Sequence, residues 1–346
     1  MRAAIVGCGG IAQVHARSVS KMASGVPEGR PSAGMEGCSL EGFADIKIER
    51  AEAMAREYGG RAYASLEEML EDIHPDVLHI CTPHYLHVPM AVYALEKGVN
   101  VFMEKPPAIS TEQWKELSQA AQKASGKLGV CFQNRYNPSI LYVKRLLAEG
   151  TPGRIKGARG LVTWSRGEAY YTQSGWRGSL ATEGGGALIN QSIHTLDLLG
   201  QFLGTPEWVE ASIANHHLKG VIEVEDTMEA YIRYEKAATS FYATTAYCDD
   251  VPPLIEIACE NMTIRIEDLD VTLLHRDGRV EKPQLDKKEA LGKSYWGSGH
   301  ADCIADFYRC CETNEHFAQE IDGIEDTARL MLAAYESARS HRPVEL

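Results

Sequence analysis

The first 132 residues show short apolar runs that alternate with amphipathic stretches. The runs lie at 2–6, 38–44, 61–63, 77–81, 99–103 and 128–132. Most end at glycine, proline or polar residues, as buried parallel strands do. The segments between them carry apolar residues at helical spacing. Strands that alternate with helices at short spacing predict an α/β domain with a doubly wound parallel sheet.

After Phe132 apolar and polar residues alternate one by one in many of the runs, as in antiparallel strands with one covered face. We predict a helix, six strands and two closing helices, at 137–149, 155–164, 208–214, 227–234, 239–247, 254–259, 262–266, 301–312 and 323–337. The fold class is therefore an α/β domain, residues 1–132, followed by an α+β domain, residues 133–346, with an open, mainly antiparallel sheet. The last helices are free to pack back on the first domain.

Composition narrows the classes of function. The 346 residues carry a net charge of −13 and no block of basic residues, which argues against a nucleic-acid or anionic-membrane partner. Nothing resembles a signal peptide or a membrane span. The nine cysteines form no CxxC pair and predict reduced, mainly buried thiols of a cytoplasmic protein, with no metal site. An open sheet face commonly packs on a second copy, so we expect a homo-oligomer.

A glycine-rich turn follows the first predicted strand and opens the first helix. Gly7, Gly9 and Ala12 form the pattern G-x-G-x-x-A. In such a turn the first glycine permits the tight bend, the second lets a pyrophosphate approach the backbone, and the last small residue allows close packing. The helix amino terminus attracts phosphates. We expect a dinucleotide to bind Gly7, Gly9, Gly10, Ile11 and Ala12.

Asp45 ends the second predicted strand, where an acid usually accepts hydrogen bonds from the ribose hydroxyls of NAD. It lies beyond the usual offset of about 20 residues because of a Gly/Pro/Ser-rich insertion at 24–37. Arg50 is close enough in sequence to accept a 2′-phosphate, so we predict NAD and keep NADP as an alternative. Asp45 is also placed to cap the helix predicted at 47–58.

The fifth predicted strand runs directly into Glu104-Lys105-Pro106. Ligands of open α/β sheets bind at the carboxyl ends of the strands, so Lys105 is placed to present its ammonium to a crevice. Partial desolvation would lower its pKa toward the working range of an acid–base catalyst. A solvated loop lysine is the alternative interpretation.

Three consecutive glycines, Gly184 to Gly186, provide a flexible entry to a helix predicted in the second domain. Asn190, His194 and Asp197 lie at i, i+4 and i+7 and therefore share one face. Such a face is either a satisfied polar network or a site. Weaker candidates in this domain are Thr245, Lys293 and Tyr295.

Together these motifs resemble the Gfo/Idh/MocA family, the group of glucose–fructose oxidoreductase and inositol dehydrogenase. The resemblance rests on the glycine pattern with His15, on Thr82-Pro83 with His87, on Glu104-Lys105-Pro106 and on the segment 184–197. It covers nearly the whole chain, in the family's order. It implies an NAD(P)-dependent oxidoreductase that transfers a hydride between a nicotinamide cofactor and a secondary hydroxyl or ketone of a sugar, inositol or related polyol.

The resemblance also implies roles. Lys105 and His194 would be catalytic, Glu104 would contact the nicotinamide riboside, and Asp197 would support the helix or orient the site. Cofactor contacts are also implied for Thr82, Pro83, His87 and Lys105. Many members carry Asp four residues before the histidine, where this chain has Asn190. An amide cannot hold a negative charge or strengthen His194 as a base, but it can bond a substrate hydroxyl.

The expected reaction places a substrate hydroxyl between Lys105 and His194, one of which takes its proton while the ammonium stabilises charge on oxygen. Side chains suited to sugar faces, carboxylates and hydroxyls predict further substrate contacts at Arg135, Tyr136, Trp164, Trp176, Arg177 and Asn190. Two alternatives stay open. One is a redox-neutral enzyme with tightly bound NAD, for epimerisation or glycoside cleavage, and the other is a non-catalytic sensor of NAD or a sugar.

Overall fold

The computed structural model describes residues 1–23, 37–249, 251–286 and 297–346. Almost all of the predicted insertion at 24–37, and the candidates Lys293 and Tyr295, lie outside this part. The chain forms two compact units, Met1–Gln133 with Glu289–Ile324, and Asn134–Lys288 with Glu325–Leu346. A late helix thus belongs to the first unit, which refines the simple division after residue 132. Among the described residues, every helix is too short or too polar to cross a membrane.

Strands and helices alternate along the first unit as the apolar pattern predicts. Its strands are β1 (Arg2–Val6), β2 (Ser39–Ala44), β3 (Arg61–Tyr63), β4 (Val77–Ile80), β5 (Asn100–Met103) and β6 (Leu128–Val130). Its helices are α1 (Gly10–Ala23), α2 (Ile48–Tyr58), α3 (Leu66–Ile73), α4 (His87–Glu96), α5 (Thr111–Lys123) and α9 (His300–Thr313). Ser65 and Ser110 cap α3 and α5, because each hydroxyl accepts a hydrogen bond from an N–H of the first turn.

The six strands pair in parallel in the order β3-β2-β1-β4-β5-β6. All four residues of β4 are buried, as expected for a strand covered on both faces. The order reverses between β1 and β4, and a crevice opens outside the carboxyl ends of the strands at such a point. The predicted doubly wound sheet is confirmed.

Helix α9 joins the first unit through aromatic packing. The ring centroid of Phe102 on β5 lies 5.1 Å from that of Phe307 on α9, and Phe307 lies 5.3 Å from Phe317. All three rings are buried. Burial of side chains this large contributes a few kcal/mol each, so the first unit depends on a segment far along the chain.

The second unit is built on a nine-stranded sheet. Its strands are β7 (Ile155–Thr163), β8 (Pro206–Ala214), β9 (Thr227–Tyr234), β10 (Ala238–Thr244), β11 (Leu254–Cys259), β12 (Met262–Glu267), β13 (Asp270–His275), β14 (Val280–Glu281) and β15 (Val344–Glu345). Its helices are α6 (Pro138–Ala148), α7 (Glu168–Thr172), α8 (Ile193–Leu203) and α10 (Ile321–Ser340), which belongs to this unit from Glu325 onward.

The strand order is β14-β13-β12-β11-β7-β10-β9-β8-β15, and every neighbouring pair is antiparallel except β7 with β10. The mainly antiparallel sheet is therefore confirmed, although the sequence pattern missed α7, β13, β14 and β15. Helix α8 covers one face of the sheet. A methyl group added at Gly160 on β7 would lie 3.0 Å from Leu199 Cδ1 and 3.2 Å from Thr195 Cγ2.

Candidate functional site

Three motif-bearing turns follow three neighbouring strands of the first unit. Gly7 to Ala12 follow β1, Thr82-Pro83 follow β4, and Glu104-Lys105 follow β5. Because these strands are adjacent and parallel, their carboxyl ends lie at the same edge of the sheet. The fold thus brings the glycine pattern and Lys105, about 100 residues apart in sequence, to one edge.

The glycine turn fits a dinucleotide cofactor. Gly7 has φ +85°, and a Cβ there would lie 2.7 Å from the backbone carbonyl of Cys81, so only glycine is accommodated. A Cβ at Gly9 or Gly10 would meet nothing within 4 Å, which leaves the backbone open where α1 begins. Thr82 Oγ1 is buried without a hydrogen-bond partner among the described residues. An exposed helix amino terminus with small residues before it suits a pyrophosphate.

Asp45 fastens this turn to the end of β2. Its Oδ2 accepts a hydrogen bond from the Cys8 N–H at 2.8 Å, and its Oδ1 accepts one from the Lys47 N–H at 2.8 Å. Helix α2 begins at Ile48, and its cap residue Lys47 makes no side-chain capping bond. Asp45 therefore organises the turn before the helix rather than capping it. A carboxylate oxygen can accept further bonds, so these contacts are compatible with binding ribose hydroxyls.

Substitution of Gly9 with alanine separates folding from cofactor binding. We expect Gly9→Ala to leave the thermal midpoint of the free protein within a few degrees of the wild type, because the added methyl meets only open space. The Kd for NADH is expected to rise roughly 10-fold or more, because the methyl occupies the approach of the pyrophosphate. Calorimetric titration with NADH measures this, and Gly157→Ala, on β7 with a 3.6 Å contact, is the matched control. An unchanged Kd would place the pyrophosphate elsewhere.

Lys105 is half-buried on a turn with several anchors. The Glu104 N–H donates to the Ile80 carbonyl at 3.0 Å, and the Lys105–Pro106 peptide bond is cis. The ring nitrogens of His87 lie 2.9 Å from the Pro106 carbonyl oxygen and 3.0 Å from that of Thr82. Burial lowers the pKa of His87, so the neutral ring donates to one carbonyl at a time. The structure thus places His87 as a support of both turns, although cofactor contact was predicted for it.

Beneath Lys105 runs a buried chain of hydrogen-bonding groups that the sequence pattern did not reveal. Glu104 Oε1 lies 3.0 Å from His15 Nε2, His15 Nδ1 lies 2.9 Å from His79 Nδ1, and His79 Nε2 lies 2.7 Å from the Tyr308 hydroxyl. Burial lowers the pKa of His79 well below its usual value. Burial also disfavours charge on His15, but Cys131 and Glu104 outweigh it and raise its pKa to about 9. His15 and Glu104 therefore form a buried ion pair at neutral pH.

His15, Glu104 and Cys131 are also close enough to act together as metal ligands. Burial raises the pKa of the Cys131 thiol well above its usual range, however, and the thiolate is the form that binds a metal. The imidazole and carboxylate already satisfy each other at 3.0 Å. This cluster is better suited to holding the Lys105 turn than to holding an ion.

The His15–Glu104 pair predicts a pH dependence of stability. The folded-state pKa of His15, about 9, lies above the ordinary value of 6.5, so its contribution is fully present below pH 6.5 and disappears as the pH rises through 9. We expect the wild type to exceed His15→Gln in unfolding free energy by about 3 kcal/mol at pH 6, with the difference shrinking toward pH 10. Urea titrations of both proteins across this range measure it. A constant difference would show that His15 is not charged in the folded state.

In the second unit, the predicted helix after the glycines is not regular. Ala187–Ser192 form a π-helical turn, and α8 begins only at Ile193. Gly185 and Gly186 are buried rather than flexible, since a Cβ would lie 2.0 Å from the Tyr335 hydroxyl and 2.1 Å from the Glu225 carbonyl oxygen. The buried Glu225 carboxylate accepts hydrogen bonds from the Gly186 and Leu188 N–H groups and from the Tyr335 hydroxyl. The turn that presents His194 is thus fixed by close packing.

Asn190 and His194 are half-buried at this turn, and Asn190 has a carboxylate beside it. Asn190 Nδ2 donates to Glu183 Oε1 at 2.5 Å, and the Gly178 N–H donates to Glu183 Oε2 at 2.5 Å. Burial raises the pKa of Glu183 to about 7 against the opposing effect of these bonds. An acid is therefore present one hydrogen bond away from the position where many family members carry Asp. The sequence pattern gave no signal of this contact, because Glu183 precedes the glycine segment and shares no helix face with Asn190.

Asp197 and Arg135 pair with each other in the second unit. Arg135 Nη2 and Nε donate to the two carboxylate oxygens of Asp197 at 2.5 and 2.9 Å, and the Thr327 hydroxyl donates to Oδ1 at 2.7 Å. Both charged side chains are buried. This buried ion pair gives Arg135 a structural role, while its predicted substrate contact stays a prediction. Asp197 lies on α8 and holds both Arg135 and Thr327.

Two of the remaining predicted substrate residues, Trp176 and Arg177, lie in an aromatic and arginine cluster. Trp164 is buried and its indole N–H donates to the Val251 carbonyl at 3.0 Å, which gives it a structural role. Trp176 and Arg177 are half-buried, and the Arg177 guanidinium lies over the rings of Trp176 and of Tyr170, which the sequence pattern did not single out. The Tyr170 hydroxyl accepts a hydrogen bond from Gln191 in the π-helical turn at 3.0 Å. Tyr136 follows Arg135 in a short 3-10 helix.

Comparison with known proteins places these motifs in one family. An oxidoreductase family model with an NAD-binding Rossmann fold, GFO_IDH_MocA, matches residues 1–132, and the GFO/IDH/MocA C-terminal domain matches residues 140–265. D-glucoside 3-dehydrogenase of Escherichia coli (strain K12) is 31% identical over 170 residues, which cover 48% of this chain and 47% of that protein. The matches span about half the length of several such curated relatives.

Two further relatives extend the comparison. The scyllo-inositol 2-dehydrogenase (NAD(+)) of Bacillus subtilis (strain 168) is 27% identical over 252 residues, 72% of this chain and 66% of that protein. The crystal structure of the WlbA dehydrogenase from Bordetella pertussis, in complex with NADH and UDP-GlcNAcA, is 27% identical and covers 100% of this chain and 98% of that one, with a TM-score of 0.83. With its NAD-binding Rossmann domain and its matching C-terminal domain, the chain belongs to the GFO/IDH/MocA oxidoreductase family.

Proposed function

We propose that the protein is an NAD-dependent oxidoreductase that interconverts a secondary hydroxyl and a ketone on a sugar, inositol or related polyol. The observation that carries this proposal is the placement of Lys105 on an anchored turn, at the same sheet edge as the glycine turn. The relatives named as glucoside and inositol dehydrogenases support it. NADP remains the alternative cofactor, because Arg50 is exposed just beyond Asp45.

The chain's own residues perform the acid–base part of this reaction. His194 accepts the proton of the substrate hydroxyl, and the ammonium of Lys105 stabilises the negative charge that develops on its oxygen. Asn190 bonds a substrate hydroxyl through its amide, which Glu183 orients. Glu104 is held by His15 and fixes the turn that carries Lys105. It would contact the nicotinamide riboside of a bound cofactor. The bound nicotinamide supplies the acceptor or donor of the hydride.

The proposed division of labour follows the two halves of the chain. Residues 1–132 carry the cofactor contacts and the catalytic Lys105, and residues 133–346 carry the other substrate contacts and the oligomer interface. The outward face of β8 and β9 supports a homo-oligomer. There Tyr231 is 49% exposed and its ring lies 5.3 Å from that of Trp208, so two large aromatic side chains lie together on the sheet surface. Sedimentation equilibrium measures the subunit number.

We also propose that the protein works in the cytoplasm. All nine cysteines lie in the described part of the chain and are free thiols, and seven of them are buried. Free buried thiols are typical of proteins from reducing compartments. Fractionation of cells that express the native chain tests the location.

A substrate screen tests the activity. The purified protein is incubated with sugars, inositols and sugar acids, with NAD and NADP offered separately, and absorbance at the NADH band is recorded. Formation of NADH with at least one compound supports the proposal. Cofactor that stays bound through gel filtration, with substrate consumed and no net NADH, would instead support the redox-neutral alternative. Tight NADH binding without turnover across the whole panel would support a sensor.

A further inference from the structure

Arg177 is held in an aromatic setting on the second unit. Its guanidinium carbon lies 4.4 Å from the ring centroid of Tyr170 and 4.8 Å from that of Trp176. Both distances are within the range in which an aromatic face attracts a cation. The backbone N–H groups of Arg177 and Trp176 donate to Ser174 Oγ at 2.8 and 3.3 Å, which holds the main chain at this position. The guanidinium itself is held by its contacts with the two aromatic rings.

The charge of Arg177 has no close counter-ion in the part of the chain that the structure describes. No described carboxylate oxygen lies within 4.0 Å of its side-chain nitrogens, and its Nε is buried without an acceptor. Arg135 in the same unit shows the contrasting arrangement, since its nitrogens are paired with Asp197. A fixed guanidinium with an unused buried donor is unfavourable by itself and favours binding of an anion.

Glu183 interacts electrostatically with Arg177, but its carboxylate oxygens bond other groups. Its two oxygens accept hydrogen bonds from Asn190 and from the Gly178 N–H. Burial raises its pKa to about 7, so it is incompletely charged at neutral pH and compensates Arg177 only in part. Through Asn190 this group connects to the π-helical turn that precedes His194. The cation therefore lies among the residues proposed to bind substrate.

We propose that Arg177 binds an anionic group of the substrate, so that the preferred substrates are acidic sugars rather than neutral polyols. A guanidinium presents two parallel N–H groups that match the two oxygens of a carboxylate or a phosphate, whereas a sugar hydroxyl uses only one. This inference rests on the proposed function and names the substrate class of the same site. Carboxylate and phosphate share the required chemistry.

The test compares three ligands with the same ring: D-glucose, D-glucuronate and D-glucose 6-phosphate. Each is titrated by calorimetry into the full-length protein with NAD present, for the wild type, Arg177→Met and Arg177→Lys. We expect the wild type to bind at least one acid roughly 10- to 100-fold more tightly than glucose. Arg177→Met loses this preference, and Arg177→Lys keeps part of it. The acid that binds more tightly identifies carboxylate or phosphate as the group.

Arg145→Met is the matched control, because Arg145 is an exposed arginine on α6 of the same unit, paired with Glu149. A wild type that binds neither acid more tightly than glucose overturns the inference, as does an Arg177→Met variant that keeps the preference. A different result would contradict the proposed function and not this inference. In that result the acids bind through Arg177, but no NADH forms with any compound in the screen.

Discussion

Replacement of Lys105 with methionine is expected to lower kcat by roughly 10²–10⁴-fold while the Kd for NADH stays within a few-fold of the wild type. Methionine keeps the length and apolar stem of the side chain but removes the ammonium that stabilises charge on the substrate oxygen. The turn should persist, because its anchors are the Glu104 carboxylate on His15, the Glu104 N–H on Ile80 and the Pro106 carbonyl on His87. Steady-state kinetics and calorimetric titration with NADH measure the two quantities separately.

A second variant and a control complete this test. His194→Ala removes the proposed base, and a fall in kcat of similar size is expected, with NADH binding again retained. Lys123→Met serves as the control, since Lys123 lies in the last turn of α5. That turn leads to the amino end of β6, whereas Lys105 follows the carboxyl end of β5. If Lys105→Met and His194→Ala both keep near-wild-type kcat on the true substrate, the catalytic assignment is wrong.

Replacement of Asp197 with alanine is expected to lower the free energy of unfolding by about 3–5 kcal/mol. The change leaves the buried guanidinium of Arg135 without its two acceptor oxygens and the Thr327 hydroxyl without its partner. An uncompensated buried charge is among the most destabilising defects that a single substitution produces. Urea unfolding, followed by far-ultraviolet circular dichroism, measures the shift of the transition.

Glu207→Ala is the matched control for this measurement. Glu207 pairs with Arg233 at 2.6 Å in the same unit, but both side chains are about half exposed. Surface pairs contribute roughly 0–1 kcal/mol, so the control should shift the transition only slightly. Equal shifts for the two variants would mean that the Arg135–Asp197 pair is not buried in solution.

The elements of the fold were predictable because their signals are local. The apolar runs predicted β3, β9 and β11 with their observed limits. β14 and β15 were missed because each has only two residues and exists through its pairing with a longer strand. The irregular turn before α8 was missed because a π-helical turn keeps an apolar pattern that is typical of a regular helix.

In the candidate site, too, the positions of residues in the chain could be predicted but their partners could not. The position of Gly7, Asp45 and Lys105 at the sheet edge could be predicted from the sequence, since each lies within two residues of the end of a predicted strand and the ends of parallel strands meet at one edge. The protein partners of His87 and Arg135 could not be predicted, because a sequence does not show which polar groups satisfy each other inside the protein. In the structure, backbone carbonyls surround His87 and a carboxylate binds Arg135.

By itself, the sequence determined the family, the parallel sheet with its glycine turn, and the position of Lys105 at a strand end. Hydrophobic periodicity and turn residues are properties of short segments, so they can be interpreted without the fold. Only the tertiary structure decided that Glu104 is buried against His15, that Glu183 holds Asn190, and that the Arg177 guanidinium lies over the Tyr170 ring. The first two contacts join residues that are separated along the chain, and they form because buried polar and charged groups must find partners within the folded protein.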